Sequence, residues 1–340
     1  MRDWVKFLAA FALAALLLWW VFRGVDPAEL GEALTRVSFP MLLAAGLVNL
    51  AHNVFRIWRW QALLAPIRER VSFRTAFAAT IVGYATSWVL PARLGEIVRP
   101  ALLASREKLP VGPVLGTVVA DRLMDATALV ALFAVGAAFA PLSAEAVEHA
   151  GVIRGSAWSM LGVTALALVV LVVIEARRSS LAGWVERRHR LLRWGGRVVL
   201  QLADGVAALR RPRLALLVVL HSLAGWFTIG IGTWLGIRAV GAELPFLAVF
   251  VVLPMLALGI AVPTPGGAGS YHGAMKVGLM LFGVSEIDAL SAGLMMHAMI
   301  VLPTLLVAAL VVPLERWSWK DVIGAARQFR RLGEKEGLPS

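Results

Sequence analysis

Cysteine is absent from the 340-residue chain, which excludes a disulfide framework, a thiol nucleophile and a thiolate metal site and leaves the redox compartment undetermined. Charge is scarce as well. Only 16% of the residues are Asp, Glu, Lys or Arg, while 59% are hydrophobic, and the mean hydropathy is +0.79. This composition falls outside the range of soluble globular domains and inside that of membrane proteins. Acidic residues are the scarcer sign, 21 against 33 basic, for a net charge of +12. Spread over a soluble domain, such an excess would suggest nucleic acid. Here the bases sit in short segments between apolar runs, the positive-inside pattern, so a multi-pass cytoplasmic (inner) membrane protein is expected and no nucleic-acid partner. No HExxH or GxSxG motif occurs, and neither a metal nor a cofactor is implied.

What is present is a series of apolar runs of about the length a helix needs to cross a bilayer. The first, 4–22, ends in WWVFR with no small-residue cleavage site, so it reads as a retained span and not a signal peptide. Run 39–64 follows, and its end, with Arg56 and Arg59 alternating with Trp58 and Trp60, reads as a helix leaving hydrocarbon for headgroups. Further spans are expected at 114–140, 157–176, 214–237 and 287–312. Two runs are interrupted. Pro91 and the polar residues of ARLGEIVRP break 75–104, and PTPGGAGSYHGAMKV breaks 246–284. Were 75–104 a single crossing, the segment 177–213, with ten Arg against Glu186 and Asp204, would face outward against the orientation rule. A re-entrant hairpin is therefore expected at each break, with irregular backbone tolerated because it is buried or wet.

The expected fold is all-α, with about six full spans and two re-entrant helical hairpins. The two repeats are 1–140 and 157–313, with a basic cytoplasmic segment at 177–213 that reads as a surface helix or simply a topology determinant. The tail 314–340 and the N-terminus are both expected to be cytoplasmic. Each half has three crossings, an odd number, so the second is inverted, and paired broken helices in corresponding places point to a transporter-like binding site.

Ionisable residues inside such runs are costly and call for partners or a polar ligand. Arg93, Glu96 and Arg99 are spaced i, i+3, i+6, and Asp121 and Asp125 stand i, i+4 with Arg122 beside them. In one reading these three bases and three acids only neutralise one another. In the other, Arg93 and Arg99 grip a phosphate bidentately while the acids hold them in place. Gly266, Gly267 and Gly269 permit positive φ and would leave free N–H groups as an anion site, with Lys276 a turn or two further on. His272 beside them reads most simply as a satisfied buried histidine, and the isolated His52, His221 and His297 carry less weight.

The motifs LPARLGEIVR, ADRLMD and PTPGGAGSYHGA resemble those of the lysylphosphatidylglycerol synthase transmembrane-region family, the flippase-like part of the bacterial multiple peptide resistance factor, over nearly the whole chain. The resemblance implies translocation of a lipid or lipid-linked headgroup, the partner being an anionic phospholipid or a polyprenyl-phosphate-type lipid. His272 stands where many members carry an acid, so no acid role is carried over there. Residues 1–340 contain nothing resembling the family's soluble aminoacyl-transferase domain, so lysyl transfer is not implied, and no enzyme activity is expected. The alternatives are an ion-coupled transporter of a small anion, with Glu96, Asp121 or Asp125 as proton site, and an accessory membrane subunit of a glycosyltransferase or other cell-envelope or lipid-modifying enzyme. A homo-oligomer is compatible with either.

Overall fold

The computed structural model describes residues 2–90, 93–141, 150–187 and 205–318, with isolated positions at 147–148, 189, 192, 196, 200, 320, 322 and 324. Among the described residues every regular element is a helix. In chain order these are α1 (Arg2–Phe22), α2 (Pro27–Thr35), α3 (Phe39–Leu64), α4 (Phe73–Val89), α5 (Gly95–Glu107), α6 (Val111–Phe139), α7 (Ala150–Ala176), α8 (Arg178–Glu186), α9 (Pro212–Ala239), α10 (Phe246–Ala261), α11 (Ser270–Met280) and α12 (Glu286–Leu314). Proline opens α2, α3 and α9 in the first turn, where its missing N–H costs nothing. Ser72 and Ser285 cap α4 and α12 by accepting from the backbone N–H of Thr75 and Asp288, satisfying donors that have no partner inside the helix.

Four helices, α3, α7, α9 and α12, are long and apolar enough to cross a membrane, and a fifth span arises if Leu8–Phe22 and Pro27–Thr35, bent by 85°, are one. This is fewer than the six expected. Helix α6 has the length, 29 residues, but Asp121, Arg122 and Asp125 sit within it, so its composition alone does not mark it as a span. The lipid-facing character of α7 is plain: Trp158, Val163, Leu166, Val169 and Val173 are all exposed. Of the basic segment 177–213, where a surface helix is expected, α8 (Arg178–Glu186) is described, while most of 187–204 and of the tail beyond 318 lies outside the described residues.

At each of the two interrupted runs the chain turns back on itself. A Cβ built on Gly95 would lie 1.7 Å from the Gly83 carbonyl oxygen, and one on Gly83 would lie 2.8 Å from Cβ of Arg99, so α4 and α5 are antiparallel limbs in near backbone contact. The second pair repeats this, with Gly259 against Ser270 and Ala274, and Gly278 against Val252. The limbs hold 17 and 13 residues in the first pair and 16 and 11 in the second, which at ~1.5 Å per residue leaves each short of a ~30 Å hydrocarbon core. Gly95→Ala is expected to force the first pair apart at a cost of ~1–3 kcal/mol or more. Thermal melting in detergent measures this, and wild-type melting of the variant would show that the limbs are not packed in this way.

The packing has an internal symmetry. Helix α3 packs on α9, α4 on α5 and α12, α10 on α11 and α6, α5 on α6, α11 on α12, α6 on α9, and α12 on α3. Exchanging α3–α6 for α9–α12 returns the same set of neighbours. Each helix pair also has its own apolar cluster, one around Trp60, Leu64, Val98 and Leu103, the other around Phe250, Met275, Leu279 and Met296. The candidate site described next borders elements of both halves.

Candidate functional site

The tips of the two hairpins meet. Gly266 and Gly267 lie against Trp88 at the end of α4, and His297 of α12 bonds through Nε2 to the Gly266 carbonyl at 2.8 Å. Gly266, Gly267 and Gly269 have φ of +61°, +71° and +79°, the region in which a side chain is strained. Two of the three glycine amides expected to be free are taken up within the turn, however. The N–H of Gly267 donates to Thr264 O, that of Ala268 to Pro265 O, and that of Gly269 to Nδ1 of His272. Gly269 is packed on Leu17 and Leu18 of α1. Lys276 is also taken up, by Glu286 and by the Val21 carbonyl at 3.2 Å. The turn is thus largely self-satisfied, and of the candidate residues Gly266, Gly267, Gly269, His272 and Lys276 only Gly267 borders the cavity described below, which Thr264 and Trp88 also line.

The charged cluster is larger than the six residues the sequence suggested. Asp121, fully buried, receives Nε of Arg59 at 2.7 Å on one oxygen, and Arg99 at 2.8 Å and Arg122 at 3.2 Å on the other. Asp125 holds Arg56 at 2.7 Å, Arg59 at 2.9 Å and Arg122 at 3.0 Å, and accepts from the Trp226 indole at 3.1 Å. Glu96 lies 3.4 Å from Arg122. Arg56 also donates to the Tyr84 hydroxyl at 2.7 Å. Placing Arg56 and Arg59 at a headgroup boundary was therefore mistaken: Arg59 is 1% exposed, since carboxylates on the neighbouring α6 draw both guanidinium groups inward. Their spacing held the missed signal, because Asn49, Asn53 and Arg56 stand i, i+4, i+7 on one face of α3.

Two further expectations are corrected. Helix α5 begins at Gly95, so Arg93 is not on a helical face with Glu96 and Arg99; it precedes the helix with φ +52°. Arg99 is sealed away, with Cζ 3.9 Å from the centroid of the Trp60 ring. It does not border the cavity; Arg93 does. The balance is also not three against three. Arg56, Arg59, Arg93, Arg99 and Arg122 oppose Glu96, Asp121 and Asp125, five against three, a net of +2. Arg93 makes no ion pair within 4 Å among the described residues. Asp125 is the middle residue of the 29-residue α6, about 21 Å from either end at ~1.5 Å per residue.

A cavity of about 410 Å³ opens beside this cluster, bordered by both hairpins and by α3, α6, α9 and α12. Its lining combines a polar set, Arg56, Arg93, Arg122, Glu96, Asp125 and Tyr84, with an apolar set that includes Leu253, Leu256, Ala257, Ile260, Met299 and Ile300. The volume is in the ordinary range of small-ligand sites, ~300–1,000 Å³. Among the described residues no three His, Cys, Asp or Glu side chains come together as metal ligands.

The family model for the lysylphosphatidylglycerol synthase TM region matches residues 7–308. The chain belongs to that family. No curated protein matches the chain. As a member of the lysylphosphatidylglycerol synthase TM-region family with several apolar helices, it is a multi-pass membrane protein of lipid metabolism or transport. The family match spans both hairpins and every residue of the charged cluster.

Proposed function

We propose that the protein is a lipid translocase that carries an anionic headgroup between leaflets, with no covalent step. The observation that supports this reading is the cavity bordered by both hairpins, whose lining joins basic groups that suit a phosphate to apolar side chains that suit a glycerol backbone and first acyl carbons. A surplus of positive charge in the cluster attracts an anionic lipid phosphate, and guanidinium groups match its oxygens bidentately. A cavity of 410 Å³ takes a headgroup while the acyl chains stay in the bilayer. The energetic task is to replace water around the phosphate at mid-helix depth.

In this reading both hairpins are re-entrant, one from each face of the cytoplasmic membrane, and α3–α6 and α9–α12 are inverted repeats whose exchangeable packing supports alternating access. Both termini are then cytoplasmic. The test is reconstitution into vesicles containing a fluorescent anionic phospholipid. Label in the inner leaflet should become accessible to an impermeant quencher faster than in protein-free vesicles. No acceleration with any anionic phospholipid or with polyprenyl phosphate would remove the proposal.

A further inference from the structure

One wall of the cavity is left unexplained by phosphate binding. Asn49, His52 and Asn53 border it from α3, one and two turns before Arg56 and on the same helical face. Asn49 and Asn53 are 6% and 4% exposed, and amide groups at this depth need a reason. Their orientation is fixed by the helix itself. Nδ2 of Asn53 donates to the Leu50 carbonyl at 3.0 Å, and its Oδ1 is buried with no hydrogen-bond partner. Nδ2 of Asn49 donates to Ala45 O at 3.0 Å and lies against Gly232 of α9, where a Cβ would come within 2.3 Å of it. This leaves Oδ1 as the remaining polar end. Nδ1 of His52 contacts the Asn49 carbonyl; a carbonyl only accepts, so Nδ1 carries the proton and Nε2 is an acceptor. Each of the three side chains therefore has an acceptor atom, and an ionised phosphodiester, which has only acceptors, cannot satisfy them.

We infer that this face is a second subsite, beside the groups that hold the phosphate, and that it receives hydroxyl groups of the alcohol esterified to the phosphate, a glycerol or a sugar-type polyol. The inference rests on the lipid-phosphate reading. An ammonium would also donate, but the three acceptors are neutral and the cluster beside them stays net positive even with one phosphodiester charge bound, so a neutral donor suits the site and a cationic one is repelled. The subsite thus favours a polyol phosphodiester over the aminoacylated headgroup that the family name carries.

The test is binding of defined lipids to the purified full chain in detergent, read by intrinsic tryptophan fluorescence. Phosphatidylglycerol and phosphatidylmethanol carry the same phosphodiester charge and differ in the hydroxyls, phosphatidylinositol offers a ring polyol, and phosphatidylethanolamine an ammonium. One or two neutral hydrogen bonds correspond to a preference of roughly 3- to 10-fold for a polyol lipid over phosphatidylmethanol. Asn53→Leu should bring that ratio toward one while leaving phosphatidylmethanol binding in place, and Asn53→Ala serves should the leucine variant fail to fold. The better-bound polyol lipid names the alcohol. Equal binding of phosphatidylmethanol and both polyol lipids by the unaltered protein overturns the subsite and leaves the phosphate reading standing. Tightest binding of phosphatidylethanolamine overturns the choice of a hydroxyl. Binding of no anionic lipid above phosphatidylcholine defeats both proposals together.

Discussion

Asp121→Ala should be the most damaging single substitution in the charged cluster, lowering stability by ~3–5 kcal/mol, the cost of breaking a buried ion pair from one side. Arg99 would lose its one carboxylate among the described residues while 1% exposed and walled by the Trp60 ring, and Arg59 would keep Asp125 and the Ser222 hydroxyl. Neither guanidinium can give up its charge at any accessible pH, and neither has a path to water. The measurement is the melting temperature in detergent, together with recovery of monodisperse protein. Asp121→Ala combined with Arg99→Met should regain part of the loss, because the pair couples by ~0.5–3 kcal/mol. Melting of Asp121→Ala at the wild-type temperature would mean that the cluster is hydrated and open, contrary to the geometry described above.

Arg93→Ala should do the opposite, leaving melting nearly unchanged and cutting lipid transfer. Arg93 is exposed, makes no ion pair within 4 Å among the described residues, and already has a φ of +52°, which alanine tolerates no worse than arginine. Its removal orphans no partner, so stability should stay within about 0.5 kcal/mol. A hydrogen bond from a guanidinium to a phosphate is worth ~1.5–3 kcal/mol, so the transfer rate is expected to fall by roughly 10- to 100-fold. Arg93→Lys keeps the charge without the planar fork and should lie between. Unimpaired transfer by Arg93→Ala would take the phosphate away from this part of the cavity.

Much of the architecture was readable from the sequence because long apolar runs have few alternatives in a bilayer. The run 39–64 and helix α3 share both ends, and Pro91 and the PTPGGAG segment mark where two runs break. The motifs in LPARLGEIVR, ADRLMD and PTPGGAG carried the family resemblance, which the match over residues 7–308 bears out. The site was harder to read because proximity in sequence stood in for proximity in space. Arg56 and Arg59 come 62 or more residues before their carboxylate partners, and the nearby tryptophans imitate an interfacial belt. Hydrogen bonds inside the PTPGGAG turn depend on φ/ψ values that composition does not specify, so its amides looked available. The polar face of α3 was within reach, since the spacing of Asn49, Asn53 and Arg56 is visible in the sequence, but His52 was weighed alone.

The glycine contacts within the hairpins limit how the protein can move. Gly83 and Gly95 in one, and Gly259 and Gly278 in the other, bring opposing limbs so close that sliding or splaying them would tear side chains from well-filled grooves. A hairpin built this way behaves as a lever and not as tweezers. Any change in which face the cavity opens to must tilt an entire lever about its roots, near Ser72 and Pro110 for the first and Pro245 and Ser285 for the second. Those four joints, none of which borders the cavity, are where substitutions would alter turnover without touching headgroup affinity.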